Sequence, residues 1–348
     1  MTTGKIARRT IIKAGALIAA PFIIRSAEAQ DNTVYVNTYG GTWTANERKY
    51  FYEPFTKKTG IQVRPVEPVS FTKLKAQVQS GNYEWDCTAL NMIDFLQATA
   101  ENLTEPLDFS IINKTALPKG AVVHNGIRNV ILGTNIVYRK DKMPNGGPHS
   151  WKDFWDVKKF PGKRALYAQA PLPLEWALLA DGVRRDKLYP LDVDRAFKKL
   201  DEIKPHILVW WTQNSQADQL IKDAEVDMIG MHNARAQTLI DQGVPLELVW
   251  NDGRTDGGAW FVAKGTPRKK LAMQFIEFTI EAKAQGEFCS ALPYGPSNPD
   301  AFKFMTPEAI AKSPTSAEHL KNGYSADAEW ITPHIAKIKE RFAQWIAT

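Results

Sequence analysis

The side chains of this chain best suited to chemistry stand just beyond apolar runs. Arg235 closes Gly230-Met231-His232-Asn233-Ala234-Arg235, and a guanidinium there suits bidentate binding of a carboxylate. Asp252 and Asp256 precede an extended run, where either can meet an ammonium; for Arg235 and Asp256 the competing reading is a surface or structural pair. Trp211-Thr212-Gln213-Asn214-Ser215 joins a strand-like run to a helix start, so Asn214, Ser215 and the backbone donors beside them can hold an anion. Tyr39-Gly40-Gly41-Thr42-Trp43 ends another strand, with Gly40 and Gly41 leaving the backbone bare to whatever approaches. Trp43, Trp211 and Tyr294 can wall the apolar part of a ligand or stack on a cation, or they can pack in a core.

Catalytic and metal patterns are weak by comparison. The six histidines fall at no metal-ligand spacing, and neither GxSxG nor HExxH occurs. No adjacent tyrosine pair lies in the second half, which argues against a ferric-ion clamp. Cys87 is the one candidate nucleophile, but no base lies near it in sequence and its strand-like setting points to burial. With Cys289 it makes two cysteines, too few for a disulfide framework. No cofactor and no metal are expected.

The elements that must position these groups are strands and helices in alternation. Val34, Val36 and Thr38 alternate as a strand, Thr42 or Thr44 can cap the next helix, Gly60 stops it, and Ile61, Val63 and Val66 start a second strand. Ser70 caps a helix through Ser80; Asp86–Leu90 is a short buried strand, followed by a helix from Ile93 to Ala100. This order implies a mostly parallel sheet, with ligands met at the carboxyl ends of its strands.

Gly126–Tyr138 is an extended run long enough to pass between domains. A new pattern follows from Trp151: a helix through Val193, Ala196, Phe197 and Leu200, a strand at Ile207–Trp211, a helix capped by Ser215 and running to Ala224, and a strand at Val226–Met231. Gly257–Ala263 is a second crossing, behind which Thr266 caps a helix with Pro267 at its first position. From Pro307 onward the chain is helical and charged. The expectation is an α/β protein of two lobes joined by two extended crossings. Lobe 1 takes residues 31–134 and 260–290, lobe 2 takes 137–257, and a C-terminal helical segment, 291–348, packs on the lobes. A cleft between them would close by a hinge.

The composition of the 348 residues, 44% hydrophobic and 24% charged, has room for two cores. Arg8-Arg9, an apolar run from Ala14 to Ile24 and the small-residue site Ala27-Glu28-Ala29 make residues 1–29 a twin-arginine export signal. Its removal takes five basic residues and one acid from the formal charge of +6 and leaves +2. The basic pI therefore owes much to the signal, and a nucleic-acid partner loses its support. No lipid-attachment cysteine lies near the cleavage site, so a soluble periplasmic product is expected.

YGGTWTANERKYFYEPFTKKTGIQV, SWKDFWDVKKFPGKRAL, AEVDMIG and LPYGPSN together resemble the solute-binding proteins of ABC importers, nearest the spermidine/putrescine-binding branch. The resemblance covers the mature chain. It implies a two-lobed periplasmic-binding-protein fold of type II, no catalysis, a small-molecule ligand trapped in the cleft, and delivery to an ABC permease in the inner membrane. A monomer is expected. By position, family contacts fall on Gly41, Thr42 and Trp43, on Asn91 or Met92, on Asn214 or Ser215, around Gly230 to Arg235, around Asp256, and on Tyr294.

Three departures from the polyamine binders bear on the ligand. The stretch Ala168-Gln169-Ala170-Pro171-Leu172 holds none of their acids, Gly230 stands where they carry a tryptophan, and Asp256-Gly257-Gly258 replaces their Trp-x-Asp. A polyamine would thus lose carboxylate partners, a costly loss in a desolvated cleft. Arg235 and Asp256 point instead to a small zwitterion, an ω-amino acid such as γ-aminobutyrate or an opine-like conjugate. The alternatives are a plain polyamine binder, an exported enzyme using Cys87 on the same scaffold, and a partner for a membrane sensor.

Overall fold

The computed structural model describes residues 32–113, 117 and 120–348. The export signal expected at residues 1–29 lies outside them. The chain opens with β1 (Thr33–Asn37), α1 (Gly41–Glu47), α2 (Glu53–Thr59), β2 (Gln62–Val66), α3 (Phe71–Ser80), β3 (Cys87–Asn91) and α4 (Met92–Ala100). Gly60 leaves α2 at φ 77°, and Ser70 Oγ accepts the Lys73 amide to cap α3, as their residue types require.

β4 (Val122–Val123) and β5 (Gly126–Arg139) follow, then α5 (Trp151–Trp155), β6 (Arg164–Tyr167), α6 (Leu172–Ala180) and α7 (Val193–Ile203). Next come β7 (Ile207–Trp211), α8 (Asn214–Lys222), β8 (Met228–His232), α9 (Asn233–Asp241) and β9 (Leu246–Val262). The chain ends through α10 (Lys269–Thr279), α11 (Ala282–Ala291), α12 (Pro307–Ala311), α13 (Ala317–Asn322), β10 (Tyr324–Ser325) and α14 (Ala328–Ala347). The C-terminal stretch expected to be wholly helical thus includes a short strand, which pairs with β9.

The sheet runs β2-β1-β3-β9-β5-β8-β6-β7. β1 is parallel to β2 and β3, and β6 is parallel to β7 and β8. Between these parallel groups β5 and β9 lie antiparallel to each other, β9 antiparallel to β3 and β5 to β8, with β5 and β9 paired from Ile127↔Trp260 to Arg139↔Leu246. The second crossing is therefore longer than Gly257–Ala263. Asn251-Asp252-Gly253 lies in a bulge: β9 holds extra residues between the pairs Thr134↔Arg254 and Ile136↔Val249, and Asp252 takes φ 55° there.

The buried apolar residues divide along these two strands. Val34, Phe51, Phe55, Ile127, Trp260, Phe275 and Phe288 pack together at one end, beside a cluster around Leu74, Phe95 and Phe261. Ile136, Trp151, Trp176, Leu200 and Met228 pack at the other, beside Val137, Trp211 and Ile229. α14 touches both ends: Glu329 in its first turn meets His124 at 3.0 Å, while Ile338 and Phe342 join the cluster around Trp176.

The helix expected to start at Pro267 begins two residues later, at Lys269. Thr266 does not cap it: its hydroxyl donates to Asp86, a fully buried carboxylate that Arg268 also holds at 2.9 Å, and accepts the Arg268 amide at 3.3 Å, ahead of the helix's first residue. Among the described residues no helix is long and apolar enough to cross a membrane.

Candidate ligand-binding site

Within each parallel group the strands end on a common edge, and the expected residues stand on those edges. After β1, Gly40 and Gly41 take φ 91° and 59°, and a side chain at Gly40 would meet Glu67 at 3.0 Å. Gly41 and Thr42 are exposed. Neither Thr42 nor Thr44 caps α1, whose N-cap is Gly40 with no side-chain acceptor. Thr44 turns back instead: its Oγ1 accepts the Gly40 amide at 3.0 Å and meets Thr38 Oγ1 at 3.2 Å.

Behind this loop lies Glu47, fully buried, its carboxylate accepting the hydroxyls of Thr38 and Tyr52. Burial pushes Glu47 up to about 7, although these hydrogen bonds and the Trp43 indole pull the other way. A π-helical turn, Arg48–Tyr52, brings Tyr52 round to it. Trp43 stands edge-on to Tyr39, Phe288 and Tyr294, at 5.6, 5.3 and 5.3 Å between ring centroids. Tyr39 keeps half its surface accessible, yet surrounding protein raises its hydroxyl pKa, first by burial and then through Asp94, Glu47, Tyr294 and Asp256.

After β3, Asn91 caps α4, its Oδ1 accepting from the Asp94 amide and its Nδ2 donating to the Asp94 carboxylate. Both ends of that amide are therefore engaged. The thiol of Cys87, in the middle of the sheet, is fully buried and raised well above its ordinary value by that burial. It offers no thiolate.

On the other edge, Asn214 and Ser215 are exposed in the first turn of α8. Ser215 is not the cap. The N-cap is Gln213, without a side-chain bond, and the helix ends at Lys222 rather than Ala224. Trp211 does not wall the site either. It is fully buried, donating Nε1–H to the Gly230 carbonyl and stacking at 4.0 Å beneath Tyr167. Tyr167 takes its place, edge-on to His232 at 5.8 Å. His232 Nδ1 meets Thr134 Oγ1 at 3.1 Å, and burial followed by the charge of Arg254 holds the imidazole down to about 4.

Arg235 lies in the first turn of α9, whose N-terminus also lacks a side-chain cap. Its Nε and Nη2 donate to the Asp218 carboxylate on α8, while Nη1 makes no hydrogen bond among the described residues. The side chain is 46% exposed; burial raises the Tyr294 hydroxyl above its ordinary value, and the charge of Arg235 partly opposes that rise. Asp256 is not a free carboxylate: it accepts from Arg254 Nη1 at 2.8 Å and from the Gly257 amide at 2.8 Å, with 23% of its side chain exposed. Arg254 also lies 2.8 Å from Glu175, a carboxylate with no exposed surface that accepts the hydroxyls of Tyr189 and Tyr324. Two acids share one guanidinium and keep one net negative charge.

Trp43 thus meets Tyr39 and Tyr294, Arg235 meets Asp218, and Asp256 meets Arg254; Glu47, Glu175, Arg254 and Tyr167 were not singled out from sequence. Glu175 lies three residues beyond the stretch found empty of acids. Gly230 opens no gap at the site, because a side chain there would strike the stacked pair Trp151 and Trp176 at 3.0 Å. Gly258 is required by close approach: a Cβ would lie 2.2 Å from the Leu90 carbonyl. A cavity of about 430 Å³ adjoins Asp256, lined also by Met92, Thr255, Thr315, Ser325 and Asp327. Gly41, Thr42, Trp43, Arg235 and Tyr294 do not line it.

The chain belongs to the bacterial extracellular solute-binding proteins, whose family model matches residues 51–318. It is 33% identical over 329 residues to the gamma-aminobutyric acid-binding protein of Pseudomonas aeruginosa, covering 92% of this chain and 93% of that one. An ABC transporter substrate-binding protein from Bradyrhizobium japonicum superposes with a TM-score of 0.87 at 35% identity, over 90% of this chain and 99% of that one. The PBP MotA of A. tumefaciens B6, solved in complex with glucopine, gives 0.79 at 33% identity over 90% and 99%. The fold is the α/β periplasmic-binding-protein fold, and the protein is a non-enzymatic solute-binding component for an ABC transporter.

Proposed function

We propose that this protein captures a small zwitterion, an ω-amino acid such as γ-aminobutyrate or an opine, and delivers it to an ABC permease in the inner membrane. The twin-arginine signal carries it to the periplasm, where it acts as a monomer. Lobe 1 is formed by residues 31–134 and 260–290 and lobe 2 by 137–257, with 291–348 packed on both. The ligand bridges Gly41, Thr42, Trp43 and Asn91 on the first lobe, with Tyr294 of the C-terminal segment, to Asn214, Ser215, Arg235 and Asp256 on the second. Because it touches both lobes, it favours the closed state and shifts the population toward it.

The observation that carries this reading is the separation of charge. Arg235 keeps Nη1 uncommitted beside two helix N-termini that lack side-chain caps, a setting for a carboxylate. Asp256 belongs to a group with one surplus negative charge, a setting for an ammonium. Tyr39, Trp43, Tyr167 and Tyr294 supply apolar walls between them. The ligands named for two relatives, γ-aminobutyric acid and glucopine, are an ω-amino acid and an opine.

Calorimetry with γ-aminobutyrate and opines tests the reading. Arg235→Ala should cost about 2–3 kcal/mol of affinity for a carboxylate ligand, the worth of hydrogen bonds to a charged group. Unchanged affinity would remove the zwitterion reading, and tight binding of putrescine to the wild type would restore the polyamine one.

A further inference from the structure

One charge at the site has no part in that reading. Arg254 is 3% exposed, yet its register partner Thr134 is in turn paired with His232, so its side chain shares the face of β9 that carries Asp256. It lies 2.8 Å from both Glu175 and Asp256. Glu175 is clamped by the Tyr189 and Tyr324 hydroxyls at 2.6 and 2.8 Å, and Tyr324 sits on β10 directly beside Arg254. Its Nε, though close to Glu175, is buried without an aligned hydrogen bond, so the guanidinium is held there chiefly by charge.

We propose that Arg254 is a built-in cation occupying the place a second ligand ammonium would need, so that the site accepts one amine and rejects diamines and polyamines. The inference rests on the zwitterion reading for the ligand it predicts, but not for its charge count. Without Arg254, Glu175 and Asp256 would be two carboxylates at one end of the site, a receptor for a dication. With it, a single negative charge remains, enough for one ammonium. A guanidinium suits the task because it does not deprotonate in a protein, so an arriving dication cannot displace it by stripping its proton. Arg235 opposes a second ammonium at the far end. The selectivity is thus carried by a repulsive group as well as attractive ones.

Titration of wild type, Arg254→Met and Arg254→Lys with γ-aminobutyrate and 1,4-diaminobutane tests this. The wild type should prefer the amino acid. Arg254→Met should raise diamine affinity about a hundredfold, and Arg254→Lys, which keeps the charge, should leave it low. Because the Met variant leaves Glu175 unpaired in the interior, Arg254→Gln, whose amide can still donate to Glu175 while both carboxylates stay, is measured beside it and should also raise diamine affinity, about tenfold or more. A folded Met or Gln variant with wild-type diamine affinity overturns the proposal, as does a Lys variant that gains as much as Met. If the wild type binds neither compound but the Met variant gains the diamine, the zwitterion reading fails and the role of Arg254 stands. If γ-aminobutyrate binds and no variant gains the diamine, the reverse holds.

Discussion

The two sides of this site are built from different materials. On the Gly40–Trp43 side the ligand-facing groups are bare backbone and aromatic edges, and the buried acid behind the loop, Glu47, faces inward with its bonds filled by Thr38 and Tyr52. On the other side stand two guanidinia, three carboxylates and a histidine. Aromatic and backbone surfaces tolerate many ligands, because they ask for shape and a desolvated face. Charges in a desolvated cleft do not, because each must be matched. The first side should therefore set how tightly ligands are held in general, and the second which ligand stays.

Truncating Trp43 gives the largest test of that division. Its ring holds Tyr39 and Tyr294 in place, so Trp43→Ala should weaken every ligand by about 3 kcal/mol, the loss typical of a central aromatic anchor. Arg235→Ala should act differently, weakening γ-aminobutyrate while sparing its neutral carboxamide analogue. Calorimetry on both compounds separates the effects. If Trp43→Ala alters the ratio of the two affinities as strongly as Arg235→Ala does, the division of labour is wrong.

Acid should also act on the two sides with opposite sign. Burial raises Glu47 from 4.5 to about 7, so between those values the native state holds a proton that the unfolded chain has lost. Its contribution is complete below pH 4.5 and is lost as pH rises through 7, about 3 kcal/mol in all. His232 is lowered from 6.5 to about 4 by burial, so its contribution is present above pH 6.5 and lost as pH falls through 4. In the wild type the two slopes oppose each other. Relative to it, Glu47→Gln should melt progressively lower from pH 7 to 4, and His232→Gln progressively higher. Thermal melts that drift the same way in both variants would break the contrast.

How much of this was legible in sequence depended on whether the signal was local. The β1 alternation, the Gly60 stop, the Ser70 cap and the long β5 run are all written within a few residues, and the structure has them. Trp211 was visible as an aromatic at a strand end, but the face it takes is decided by Tyr167 and Gly230, which are distant in the chain. Glu175 reads as an ordinary acid in a helix's first turn, and nothing near it announces Arg254. The pairing of Arg254 with Asp256 was within reach, since alternate residues of a strand share a face. It was missed because the second crossing was expected to begin only at Gly257, whereas β9 runs from Leu246 to Val262.

The smallest effect belongs to Gly41. It holds φ 59°, and a Cβ built on it meets nothing within 4 Å, so Gly41→Ala carries a backbone cost without a clash. A left-handed alanine costs about 1 kcal/mol, and urea unfolding should register a loss of that size. Gly40→Ala makes a useful contrast, because at φ 91° its Cβ would also press on Glu67 at 3.0 Å and should cost more. For ligand affinity the expectation is a uniform change of less than about tenfold, the same for γ-aminobutyrate and for its carboxamide. A backbone edge that reads no charge cannot change a preference between two ligands differing only in charge. If Gly41→Ala does shift that preference, the loop helps to choose the ligand, and specificity no longer rests with Arg235, Arg254 and Asp256 alone.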